Sequence, residues 1–170
     1  MSTLRILSVV AALCIPTVAN SETLWSATGS GCVPDHATIA NNRTVVRPAL
    51  VRHANNNVDK IVLNCAIRPF TPTDTDWVLQ MDCEDSTGAG TQAIVRVRLY
   101  RMPFGGDPTI VATASSNSTN VTGRKIVDAP FVHTFDFDSN VYWIRVELDR
   151  NSTNQIVILY AVWLFAGVIG

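Results

Sequence analysis

Few residues in this 170-residue chain are spaced so that a specific chemistry follows from them. The best-ordered set is Asp136-x-Asp138-x-Asn140 with Glu147 at the twelfth position, which matches oxygen ligands one, three, five and twelve of a calcium loop. Val141 stands where that loop needs glycine, and strand-like runs flank it where helices belong. Acidic side chains capping a turn are the plainer alternative. A second acidic group, Asp74, Asp76, Asp82, Glu84 and Asp85, could hold a cation or simply mark an exposed sheet end. The tryptophans suggest a different chemistry, because ring faces stack on sugars while polar neighbours bond the hydroxyls. Trp77 begins a run after a polar loop, and Trp143 alternates with Arg145 and Glu147, so these four residues form a candidate carbohydrate surface. Their rival role is to cover sheet surface, with an indole packed on a guanidinium stem.

No catalytic signature accompanies them. The chain has no Gly-x-Ser-x-Gly elbow, no His-Glu-x-x-His and no phosphate loop. His36, His53 and His133 are far apart in sequence, and His133, set among phenylalanines, reads as a core histidine. A carboxylate pair for glycoside hydrolysis would be assembled only in space, and nothing in the sequence selects one. Cys32 lacks a local base that would make it a nucleophile.

The first 21 residues read as an export signal: Arg5 supplies the positive start, Ile6 to Val18 is largely apolar, and small residues follow, with cleavage expected after Ala19 or Ser21. Removing them takes Arg5 and Cys14 away and moves the formal charge from −1 to −2. The remaining 22–170 is the size of one domain. Hydrophobic residues make up 47% of the chain and can fill a core, whereas the 16% that are charged include no basic run to attract nucleic acid. Cys32, Cys65 and Cys83 survive export into an oxidising compartment, where two should pair. Cys65 and Cys83 fall in phase with apolar neighbours, and Cys32 lies in the adaptable stretch Gly29 to Pro34. Cys32–Cys65 is the expected bridge, and Cys65–Cys83 the alternative.

These residues must be positioned by strands, since from residue 44 onward short apolar runs alternate with turn signals and no helical period develops. Eight strands are expected near Thr44–His53, Lys60–Ile67, Trp77–Asp85, Gln92–Met102, Thr109–Ala114, Phe131–Phe137, Val141–Asp149 and Gln155–Phe165. Val95, Val97 and Leu99 should face inward with Arg96 and Arg98 outward, and Tyr142, Ile144, Val146 and Leu148 should face inward on the run that carries Trp143. The runs on either side of Asp138-Ser139-Asn140 are expected to pair as a hairpin. Pro48 suits an edge or bulge. The tail Ile156–Ile169 is apolar on both faces, which predicts a fully covered strand and is too short for a membrane span. Asn42, Asn117, Asn120 and Asn151 head Asn-x-Ser/Thr triplets, two of them in the polar segment Thr113–Gly123, which reads as a surface loop.

The expected fold is therefore an all-β antiparallel two-sheet sandwich, jelly-roll-like, of about eight strands. The expected function is that of a secreted or periplasmic, non-enzymatic module for binding or assembly, with glycan or another protein surface as partner and calcium as the one cofactor its loops could take. An extracellular glycan-acting hydrolase and a small eight-stranded outer-membrane barrel are the alternatives.

Overall fold

Eleven strands build two antiparallel sheets in the computed structural model, which describes residues 23–40, 44–54, 56–72 and 74–167. The expected export segment and Asn42 lie outside the described residues. In chain order the elements are β1 (Thr23–Thr28), β2 (Val33–Pro34), α1 (His36–Ala40), β3 (Thr44–Arg47), β4 (Leu50–His53), β5 (Ile61–Ala66), β6 (Asp76–Asp85), β7 (Ala93–Pro103), β8 (Thr109–Ser115), β9 (Gly123–Val132), β10 (Asn140–Arg150) and β11 (Val157–Ala166). One sheet has the order β3-β4-β11-β6-β9 with β1 beside β11, and the other the order β2-β5-β10-β7-β8. Among the described residues no helix is long and apolar enough to cross a membrane.

The eight strands β4 to β11 pair as a nested set: β7 with β8, β6 with β9, β5 with β10 and β4 with β11. This is the order of a double hairpin rolled into a jelly roll, and it replaces the barrel alternative with two open-edged sheets around a filled interior. Strand periodicity decides what fills it. Ile61, Leu63 and Cys65 of β5, Val95, Val97 and Leu99 of β7, and Tyr142, Ile144, Val146 and Leu148 of β10 are all buried, as their alternation requires. Leu79, Met81, Leu159, Val162 and Leu164 meet them from the opposite sheet.

Three expectations are corrected. The run Phe131–Phe137 is not a strand paired with β10: β9 ends at Val132 and joins β6 in the other sheet, while residues 133–139 cross between the sheets. The tail is not covered on both faces, because a bulge at Tyr160 leaves Ile158, Tyr160, Trp163 and Phe165 half-exposed on the outside of the six-stranded sheet. Pro48 lies in the two-residue turn of a β3–β4 hairpin, between the paired Arg47 and Leu50. The polar segment after β8 is also tied down more firmly than its composition implies. Ser116 is buried and its Oγ accepts the Val95 amide at 3.1 Å, while Asn117 Nδ2 donates to Gly90 O at 2.8 Å.

The chain before β4 is an addition to the roll. β4 covers β11 only at Ile158 and Leu159, and β1 continues along the same edge from Ala161 to Phe165. Gly29 marks the junction: a Cβ there would lie 2.7 Å from Leu159 O and 3.0 Å from Val51 N, so any side chain would force the strands apart. The chain then passes to the other sheet, where the Cys32–Cys65 disulfide fastens it to β5. Cys83 is a buried free thiol. At the far end of the sandwich, Arg150 gathers backbone carbonyls from two loops. Its guanidinium donates to Asn57 O at 2.7 Å, Gln155 O at 2.9 Å and Ala54 O at 3.2 Å. Beside it the buried His53 donates Nε2–H to Asp59 O at 2.9 Å, and its Nδ1 has no hydrogen-bond partner.

A bridge across 33 residues of separation contributes about 3–4 kcal/mol by the chain-entropy relation. Cys32→Ser is therefore expected to lower the urea midpoint far more than Cys83→Ser. A chain beginning at Glu22 should give one titratable thiol after denaturation without reductant and none while folded, since burial pushes the Cys83 thiol up to about 12. Three thiols in denaturant would refute the bridge.

Burial and the nearby Arg150 lower the His53 pKa from 6.5 to about 4. The unfolded chain thus takes up this proton first, so stability should fall as pH drops through about 6.5 and keep falling until about 4. Urea midpoints measured across that window should decline, and the decline should shrink in His53→Gln. An equal decline in that variant would assign the acid sensitivity to other groups.

Candidate functional site

The outward positions of β5, β10 and β7 form one surface, because the period that buries Ile144 and Val146 turns Trp143, Arg145, Glu147 and Asp149 away from the core. Register determines their neighbours. Trp143 lies between Tyr100 and Ala66, Arg145 between Arg98 and Asn64, and Glu147 between Arg96 and Val62. The half-buried Trp143 stacks on Tyr100 with centroids 5.1 Å apart and planes 8° from parallel. On its other side the small Ala66 leaves space, and there the surface opens into a cleft of about 940 Å³ lined by Trp25, Ser26, Thr28, Asn64, Arg68 and Trp143. The cleft follows from strand lengths: β2 pairs only with Leu63 and Asn64 of β5, so beyond Asn64 that edge faces β1 of the opposite sheet across a gap.

Beyond Trp143 the surface is ionic. Arg98 Nη1 donates to Glu147 Oε1 at 2.9 Å, and Arg145, Arg96 and Lys60 approach the same carboxylate at 3.4, 3.6 and 3.9 Å. Lys60 also lies 3.5 Å from Asp149. Glu147 points outward as its position predicts, yet it is only 7% exposed because these cations cover it. Both carboxylates of this surface are thus engaged by basic side chains.

Trp77 does not belong here. It is 1% exposed, packs edge-on against Phe135 at 4.8 Å and beside Phe70 at 5.6 Å, and donates Nε1–H to His133 O at 2.8 Å. With Phe137, Tyr142 and His133, these rings plug one end of the sandwich beneath the crossing segments. Burial lowers the His133 pKa, and its Nε2 sits 3.1 Å from Tyr142 Oη.

The calcium loop also comes apart. Asp136 Oδ1 accepts the amides of Asp138 and Ser139 at 3.0 and 3.2 Å, and Asn140 Nδ2 donates to Asp136 O at 3.0 Å, so these side chains fold the turn itself. Glu147 lies seven residues further along an extended strand, roughly 24 Å away at 3.4 Å per residue. Among the described residues no three His, Cys, Asp or Glu side chains are grouped to hold a metal. The second acidic set is divided in the same way. Asp82 takes a two-toothed grip from Arg124, Glu84 accepts the Tyr160 hydroxyl at 2.8 Å, and Asp85 turns inward to a buried ion pair with Lys125 at 3.0 Å. Asp74 and Asp76 stand at or beyond the opposite end of β6.

Two residues of the cleft and its support escape a reading by motif. Tyr100 shares the parity of Arg96 and Arg98, which would have placed it on the outer surface. Trp25 lies in a six-residue strand whose alternation is weak, with exposed and half-buried positions only.

No protein-family model matches the chain, and no curated protein matches it. Similar solved structures include the family 11 carbohydrate-binding module of the cellulosomal cellulase Lic26A-Cel5E of Clostridium thermocellum, with TM-score 0.45 and 12% identity over 88% of this chain and 96% of that one. They also include the xylan-binding module CBM15, with TM-score 0.41 and 10% identity over 75% and 84%. A third, PfGH50B, has TM-score 0.42 and 13% identity over 75% of this chain, which spans 22% of its length.

The two tryptophans should separate cleanly under substitution. Trp77→Ala is expected to cost about 3–5 kcal/mol as a large-to-small change in the core. Trp143→Ala should cost clearly less, about 0.5–1.5 kcal/mol for its ring pair with Tyr100 plus the partial burial of its half-exposed ring. Urea denaturation of both variants tests this, and equal losses would mean that Trp143 is as deeply committed to packing as Trp77.

Proposed function

We propose that the chain is an exported, non-enzymatic binding module whose ligand is a glycan, held in the cleft between β1 and β5. One arrangement carries this reading: Trp25 and Trp143 line a single open cleft from two different sheets, with Asn64, Ser26, Thr28 and Arg68 between and around them. Indole faces offer a sugar ring an apolar platform, and the amide, hydroxyl and guanidinium groups can both donate to and accept from its hydroxyls. Trp143 is preorganised for this role, since Tyr100 holds one of its faces and Ala66 leaves room beside the other. Little ordering cost then falls on binding. The Cys32–Cys65 bridge fastens the crossing segment after β1 to β5, so it also holds the two walls of the cleft in place. A structural disulfide suits an oxidising compartment, in keeping with the expected export segment.

Electrophoresis through gels containing soluble polysaccharides tests the proposal. The chain should be retarded by at least one of them, and the retardation should be lost in Trp143→Ala and in Trp25→Ala while the Trp143→Ala variant remains cooperatively folded, its thermal midpoint lowered by only a few degrees. Retardation by no polysaccharide across neutral and acidic types, or retardation that survives both substitutions, would refute it.

A further inference from the structure

We infer that the glycan taken by this site is an acidic one, a polymer whose pyranose rings carry carboxylate or sulfate. The inference rests on the glycan reading of the cleft and adds the charge of its ligand. Lys60, Arg68, Arg96, Arg98 and Arg145 all belong to the cleft or the surface beside it, against Glu147 and Asp149. This surface thus sets five cations against two carboxylates, whereas the chain as a whole carries a formal charge of −1.

Fold stability does not account for this arrangement. Arg98 and Arg145 stand directly opposite each other on neighbouring strands, a like-charge juxtaposition that weakens a sheet. Glu147 holds the group together, but one carboxylate presents about four lone-pair sites, whereas three guanidinium groups present about fifteen N–H donors. Of the three, only Arg98 makes a hydrogen bond to Glu147; Arg145 and Arg96 approach it through one nitrogen each, at 3.4 and 3.6 Å. The surface therefore has donor capacity beyond what its own acids use, in the forked geometry that suits carboxylate and sulfate. The Arg98–Arg145 pair lies two residues along the strands from the Tyr100–Trp143 pair, roughly 7 Å. A sugar stacked on Trp143 would thus have its pendant acid group, or that of the next sugar, within reach of arginine.

The test compares polymers that differ in charge and share their sugar: polygalacturonate with its fully methyl-esterified form, and dextran sulfate with dextran. At low salt the acidic member of at least one pair should bind at least tenfold more tightly than its neutral partner, and added salt should reduce the difference. The carboxylate and sulfate pairs show which acid group is read. Arg145→Gln should lower affinity for the acidic polymer severalfold without changing the thermal midpoint, and Trp143→Ala should lower it as well. Equal binding of acidic and neutral members, unchanged in Arg145→Gln, would overturn the inference while leaving the glycan reading intact. Binding of no polymer would overturn both. Tight binding of single-stranded oligothymidine that persists in Trp143→Ala would show a surface that attracts any polyanion, and would also overturn it.

Discussion

The structure depends on two sheets sharing one apolar layer. No strand here could hold its place alone, since hydrogen bonds within a sheet roughly replace those made with water and the net gain comes from burying side chains against the opposite sheet. Ile61, Leu63, Leu79, Met81, Leu99, Ile144, Leu148, Leu159 and Leu164 are each fully or almost fully buried in that layer. Its thickness is fixed by their size, and the spacing of the sheets follows. The ring cluster around Trp77 and Phe135 closes one end of the layer, and the Arg150 clamp organises loops at the sandwich surface.

The same alternation that commits every second residue to the layer releases the others. On the five-stranded sheet this freedom is used in an unusual way, with two arginines in register and a nearly buried glutamate among four cations. Such a group costs desolvation and repulsion that an apolar or mixed-charge surface would avoid. On the six-stranded sheet the balance is different: Arg124 is matched by Asp82 and lies 4.1 Å over the Tyr160 ring. One sheet satisfies its charges internally, while the other presents them beside its aromatic rings.

Much of this was legible in the sequence where it depended on local pattern. The inward residues of β7 and β10 and the two-sheet architecture follow from period-two alternation, and the Cys32–Cys65 bridge is the favoured pairing because Cys32 lies in an adaptable turn-rich stretch, although phase alone also allows Cys65–Cys83. The strand β9 was hidden because Lys125 occupies an inward position and Pro130 sits near its end, so that its apolar period is broken. The structure resolves both features without losing the strand: Lys125 pairs with Asp85, and β9 is an edge where a missing amide is harmless. Spacing misled for the calcium loop because a helix brings its twelfth residue back to the loop and a strand carries it away. Trp77 misled because Phe135, which packs edge-on against it, comes from a segment far off in sequence, and Phe70 folds back on it from the loop that reads as polar. The cleft was not legible at all, since it arises where β2 stops short against β5 and β1 stands in the other sheet.

The nested pairing also sets the order in which the molecule can be made. Within the nested set only β7 and β8 are close neighbours in sequence. Each pairing outside them in that set spans a longer stretch, up to Val51 with Leu159, and β1 reaches further still, Thr23 to Phe165; such distant contacts place a protein among the slower two-state folders. During synthesis the strands made first wait longest, because β11, the partner of both β4 and β6, is the last to emerge. A half-made chain holds several apolar strands with unpaired edges and no opposite sheet. Its exposure to wrong partners is governed by elongation time and by whatever shields it in the interval, and much less by the stability of the finished sandwich.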